Sequence, residues 1–138
     1  MWAVYALLSA LFASFTAITA KTGVANINSN LATGIRTIIV LVMIWLIIWA
    51  RSEHRGLAAL SRYNWFFLVL SGICTGLSWI FYFKALKEGN ISQVALLDKL
   101  SVVFTLVLAA VFLQEKLDLK TMLAASLIVG GTVLLLYK

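Results

Sequence analysis

Proline is absent from the 138 residues, and cysteine and histidine occur once each. Charge is scarce: 12% of the chain, with eleven basic residues against five acids. Soluble domains carry roughly 25% charged residues, about twice that share. Each shortage excludes something. Without proline, no helix can be kinked by a pyrrolidine ring. A single cysteine, Cys74, forbids an intrachain disulfide and reads as a small apolar filler. The one histidine, His54, lies in the loop RSEHRG beside Arg51, Glu53 and Arg55 and reads as a solvated loop residue. No His/Cys/Asp/Glu cluster has metal-ligand spacing. No nucleophile sits beside a base, and no glycine-rich phosphate loop is present. The sequence therefore predicts neither an enzyme nor a cofactor or metal protein.

Apolar residues dominate instead, at 63% of the chain, with a mean hydropathy of +1.04. A soluble globule of this size has no interior large enough to hide them, so the implied solvent is lipid. Crossing a bilayer takes about 20 apolar residues per helix. Five segments qualify, at about 2–20, 31–50, 64–83, 92–113 and 119–137. The predicted fold is all-α and integral to the membrane: one domain, 1–138, with five spans. The opening MWAVYALLSALFASF has no basic start and reads as the first span rather than a signal peptide. Gly23 and Gly89 are placed to stop the first and third helices. Ser29 or Asn30 caps the second and Ser92 the fourth. The net charge of +6 would suggest nucleic acid in a soluble protein; here the bases mostly flank apolar runs, as headgroup anchors. Small residues recur at helical spacing, as Ser9, Ala13, Thr16 and Ala20, Gly72 and Gly76, and Ser126 and Gly130. They suit close helix packing.

The stretch VALLDKLSVV, residues 94–103, places Asp98 and Lys99 inside an apolar run. With five spans, the 21–30 and 84–91 turns share one membrane face, here called face B. Arg36 then lies roughly 8 Å below face B and Asp98 roughly 9 Å, at 1.5 Å per residue. An acid and a base far apart in sequence reach one level. Adjacent on one helix, Asp98 and Lys99 point about 100° apart and partner each other poorly. Each charge near a helix centre costs roughly 2.5–3.5 kcal/mol, so these groups should face each other or a wet cavity. A helix-to-helix clamp of Arg36 on Asp98 is the structural alternative. Lys21 and Lys84 sit just above at helix ends. Trp2, Trp49, Tyr63 and Trp65 form an interfacial belt on the opposite face, face A. Trp79, Tyr82 and Phe83 form either a second belt or a wall of a substrate cavity.

Basic residues should mark the cytoplasmic side. Face A carries Arg51, Arg55, Arg62, Lys116 and Lys120; face B carries Lys21, Lys84, Lys87 and Lys138, plus Arg36 and Lys99 if intramembrane groups count. Either the 51–63 loop dominates and face A lies inside, or the chain inserts both ways and pairs antiparallel. With an odd number of spans, the second case makes an inverted repeat from two chains.

The run FYFKALKEGNISQVALLDKLSVVFTLVLAAVFLQEKLDLKTMLAASLIVGGTVLLL resembles the EamA domain of the drug/metabolite transporter superfamily. SALFASFTAITAKTG followed by SNLATGIRT is similar to that domain's first helices. The most specific elements are SNLATGIRT (29–37), YFKAL (82–86), LDKLS (97–101) and Glu115-Lys116. The resemblance covers essentially the whole chain. It implies a transporter with inverted halves, a central cavity and alternating access. Most relatives carry two such domains; with one, the second half is implied to come from an antiparallel homodimer in the inner membrane. Relatives usually have a proline early in the fourth helix, near Asp98 to Val102, which this chain lacks.

The leading expectation is a homodimeric transporter of a small polar or amphiphilic metabolite. Arg36, Asp98, Lys99 and Lys21 supply charge, and Trp79 and Tyr82 a flat wall. Surplus positive charge favours an anionic group on the substrate. The alternatives are a small exporter of organic cations, which such exporters bind through an acid in the first helix that is missing here, and a non-transporting accessory membrane subunit.

Overall fold

A computed structural model describes residues 1–137; Lys138, counted above on face B, lies outside the described residues, as does the side chain of Leu136. The described residues are helical and contain no strand. The helices are α1 (Trp2–Val24), α2 (Ser29–Ala50), α3 (Arg62–Glu88), α4 (Ile91–Asp98), α5 (Leu100–Phe112) and α6 (Leu119–Leu136), with a 3-10 segment at Glu53–Ala59. Four stretches are long and apolar enough to cross a membrane: Trp2–Val24, Ser29–Ala50, Arg62–Glu88 and Ile91–Phe112, the last joining α4 and α5. The fifth apolar segment, α6, is shorter. The chain is a multi-pass membrane protein.

Two compact units divide it, Met1–Glu88 and Gly89–Lys138. In the first, α3 packs against both α1 and α2. Apolar residues run all the way round α1 and α3, which in water would be ruinous and in lipid is expected. Ile38, Ile39, Leu41, Val42 and Met43 of α2 are all exposed. The buried apolar side chains of this unit are Ala17, Val24, Phe83 and Leu86. They occupy the ends of α1 and α3 that meet the α1–α2 turn. In the second unit, α4, α5 and α6 pack on one another.

At 27 residues, α3 is about 40 Å long at 1.5 Å per residue. Trp65 and Lys84, an interfacial aromatic and a helix-end base, stand roughly 28 Å apart along it by the same rise. That separation matches a hydrocarbon core of about 30 Å. The helix thus outruns the 64–83 segment expected from hydropathy because its ends project beyond the apolar slab.

Several helix ends differ from expectation. No described glycine takes a positive φ. Gly23 lies inside α1, and Gly89 follows α3 without the left-handed conformation of a glycine cap. Asn28, not Ser29 or Asn30, caps α2, its Oδ1 accepting from the Asn30 amide at 2.8 Å. Asn90 rather than Ser92 precedes the fourth apolar segment in the N-cap position. Asp118 caps α6, accepting from the Thr121 amide at 2.9 Å. The left-handed position before that cap is filled by Gln114 (φ 53°). Through it the Glu115 amide turns back to the Ala109 carbonyl at 3.3 Å. At the glycines the small-residue spacing does not translate into close approach, whereas Thr16 and Ala20 of the α1 stripe are half-buried. A Cβ added at Gly72, Gly76 or Gly130 would meet open space.

Candidate functional site

Arg36 stands seven residues into α2, about 10 Å along it, on the side that meets α3. Its guanidinium carbon lies 4.7 Å from the ring centre of Trp79 and 5.3 Å from that of Phe83. Trp79 and Phe83 are one turn apart on α3 and so share a face. Both rings offer their negative faces to the cation, worth about 0.5–2 kcal/mol per contact depending on desolvation. This offsets part of the cost of a charge on a spanning helix. Tyr82 packs edge-on to Phe83, at 6.3 Å between ring centres.

The sole acids of residues 1–88 are Glu53 and Glu88. Glu53 faces Arg51 at 3.9 Å, and Glu88 is the last residue of α3. Arg36 therefore has aromatic neighbours in its own unit and no carboxylate.

Beside Arg36 a cleft of about 460 Å³ opens between α1 and α2, closed at its back by Phe83. Thr16, Thr19 and Ala20 form one wall and Ile35, Ile39 and Val40 the other. Among the described residues that line it, Arg36 alone is charged. The Thr19 hydroxyl donates to the Phe15 carbonyl at 2.8 Å, which leaves its oxygen able to accept. A second hollow, about 520 Å³, runs along Arg62, Trp65, Phe66, Val69, Leu70 and Ile73. It lies on α3 alone, is almost wholly apolar, and suits a lipid chain.

Lys21, expected at the substrate site, makes a structural contact as well. Its ammonium donates to the Leu86 carbonyl, one of the last carbonyls of α3 and without an intrahelical partner. Lys87 returns the favour, donating to the Ile27 carbonyl in the α1–α2 turn at 2.9 Å. Two lysines thus cap backbone carbonyls and tie the end of α3 to the turn after α1. The sequence shows both at helix C-termini, where a cation is favourable; nothing in their spacing says which carbonyl each reaches.

Asp98 ends α4, Lys99 stands between α4 and α5, and both are exposed. The helix expected to run unbroken over 92–113 is interrupted here. The Lys99 amide bonds the Leu96 carbonyl, and the Val102 amide the Lys99 carbonyl, each at 3.1 Å. These are three-residue steps, tighter than α-helical ones. The LDKLS stretch is thus a helix break made without proline.

His54 is half-buried rather than solvated. Its ring stacks on Trp49 at 4.8 Å with an 18° interplanar angle. Its Nδ1 is buried and has no hydrogen bond among the described residues. Cys74 is exposed. Among the described residues no three His, Cys, Asp or Glu side chains form a metal-binding group.

Apolar helices long enough to span a bilayer, with a cationic, aromatic-backed cleft between two of them, define a helical membrane protein. Comparison with known proteins narrows the class. Residues 1–137 match the EamA-like transporter family, and the chain belongs to it. A protein from a Sinorhizobium species, described as an uncharacterized transporter in the cobO 3′ region, is 46% identical over 134 residues, covering 97% of this chain and 95% of that one. No solved structure matches. The protein is a membrane transporter.

Proposed function

We propose that the protein moves a small polar or amphiphilic metabolite across the inner membrane by alternating access, as a homodimer of five-span chains inserted antiparallel. The substrate meets Arg36 and the Trp79 and Tyr82 side of α3, with Asp98 and Lys99 contributing from the break between α4 and α5. Lys21 supports this arrangement from the rim, as a cap on α3. At about 27 Å for 18 residues, α6 nearly matches the hydrocarbon core and serves as the fifth span.

One observation carries the reading: an arginine on a spanning helix, held by two rings beside a cleft, with no carboxylate in its own unit. Such a charge is a functional group by default. Broken helices near the bilayer midplane commonly mark transport sites, because freed backbone groups bind solutes there. The LDKLS break is milder, since the Lys99 amide and carbonyl stay bonded in three-residue steps, and it supports the reading as a weak point in the span. A cation exporter is disfavoured by the lining of the cleft, where the sole charge is positive.

The test is transport in proteoliposomes after a substrate has been found by screening counterflow of labelled metabolites. Arg36→Ala and Asp98→Asn should each abolish flux while the chain still purifies as folded dimers. Undiminished flux in both variants would defeat the proposal.

A further inference from the structure

We infer that the Arg36 cleft binds a monocarboxylate with a short apolar body: the carboxylate on the guanidinium, the hydrocarbon between α1 and α2. This rests on the transport reading above and specifies its substrate class.

Charge is the first argument. Within residues 1–88 the cleft offers one full positive charge and no acid to neutralise it, and Asp98 and Lys99 together add no net charge. In a low-dielectric site one cation is matched by one anion; a dianion would leave a net buried charge. The guanidinium is the second. Trp79 and Phe83 both crowd its central carbon, while no acid of residues 1–88 is placed to take its N–H groups. Those groups form a planar fork that fits two oxygens of one carboxylate. Shape is the third. Apart from Thr16 and Thr19, the walls beside Arg36 are Ala20, Ile35, Ile39 and Val40. They give a hydrophilic ligand nothing to bond and reward an alkyl or aryl body. The volume, about 460 Å³, falls within the range of small-molecule sites, roughly 300–1,000 Å³.

An anionic headgroup on an acyl chain shares this chemistry, so a membrane lipid is the competing occupant. A free acid is favoured because the groove that best suits a lipid chain lies elsewhere, along α3 from Arg62 to Ile73, where Arg62 at one end suits an anionic headgroup.

Trp79 supplies the probe. The full chain with Trp2, Trp45, Trp49 and Trp65 replaced by Phe leaves one indole, beside Arg36. In nanodiscs of phosphatidylcholine at constant ionic strength, hexanoate should change Trp79 emission saturably. Acetate should need at least tenfold more, and hexyltrimethylammonium should do nothing. Arg36→Gln should raise the hexanoate half-point at least tenfold, and Arg36→Lys should recover part of the loss. Labelled hexanoate in equilibrium dialysis with the unaltered chain reads the same affinity without the tryptophan replacements.

Acetate as effective as hexanoate, a response to the ammonium, or indifference to Arg36→Gln overturns the inference. So does loss of the hexanoate response in phosphatidylglycerol nanodiscs at every hexanoate concentration, which would give the cleft to lipid. The two proposals fail separately. Hexanoate bound but no solute transported removes the transport reading and leaves the site. Flux of a neutral or cationic solute with no hexanoate binding removes the carboxylate and leaves transport.

Discussion

Phe83 was visible beforehand only as one of three aromatics with two possible roles, yet it is the largest of the buried apolar side chains of the first unit. It is 2% exposed, closes the back of the cleft, and carries half of the aromatic support for Arg36. Truncation of a buried phenylalanine to alanine costs about 3–5 kcal/mol. Phe83→Ala should therefore unfold at a distinctly lower temperature in detergent. Phe83→Leu keeps most of the volume and removes the ring, so it should cost less stability but still weaken substrate affinity. Calorimetry on both variants, with counterflow, separates the two effects. Asp118 offers a pH handle. Its carboxylate is held below the usual carboxylate range, first by the Thr121 side chain and then by the Thr121 amide, which donates to it at 2.9 Å. A lowered folded pKa means the anionic cap adds stability above the unfolded carboxyl pKa, and that stability fades as pH falls through the lowered folded value. Asp118→Asn retains an N-cap acceptor without the titration. A thermal-unfolding series from neutral to acid pH should fall less steeply for Asp118→Asn than for the parent.

The fourth apolar stretch shows how far pattern reading reaches. Periodicity and length placed a span over 92–113, and α4 with α5 occupy nearly that range, Ile91–Phe112. Hydropathy counts side chains and is blind to a change of hydrogen-bond step, so the break at Lys99 was invisible to it. The clue was there in another form: an adjacent acid and base in the apolar run. The absence of proline pointed away from an interruption, although three-residue backbone bonds at Lys99 make one without it. Such bonds are weaker than α-helical ones and open locally at lower cost. Hydrogen exchange in nanodiscs should therefore be faster at the amides of 98–102 than at those of 106–110. Equal protection across α4 and α5 would make the break a static bend. Helix caps were legible by type and not by position, since Asn28, Ser29 and Asn30 are all competent N-caps and the choice among them depends on backbone direction. In the polar hairpin over 114–118, legible as a turn, the same blindness hid the backbone conformation of its first residue. Gln114 holds a left-handed conformation that costs an L-residue about 1–2 kcal/mol. Gln114→Gly should raise stability by about 0.5–1 kcal/mol, after allowing for the extra freedom of glycine in the unfolded chain. Chemical denaturation in mild detergent measures that difference.

Membrane residence and family were legible across the whole chain, because composition alone forces lipid and the SNLATGIRT, YFKAL and LDKLS stretches are specific. Orientation is another matter, since it depends on a near-tie. On the five-span reading, five bases fall on one side and four, Lys138 among them, on the other outside the spans. Two of the latter, Lys21 and Lys87, are committed to backbone carbonyls, yet their charge still counts during insertion, when the K/R bias is read. A near-tie is what an antiparallel homodimer requires, because each copy must enter either way. Reporter fusions at both termini should then find each end on both sides of the membrane. Small additions of charge should break the tie. Gly56→Lys with Ala58→Lys adds two bases to the 51–63 loop, at positions where a Cβ meets open space (Gly56) or the side chain is exposed (Ala58). Arg55→Gln with Arg62→Gln removes two. Each variant alone should settle into one orientation, opposite to the other, and lose most transport. Co-expressed, they should recover it, because each supplies the orientation its counterpart lacks. Full activity from either variant alone would mean that a single orientation suffices, and the inverted pair would have to be abandoned.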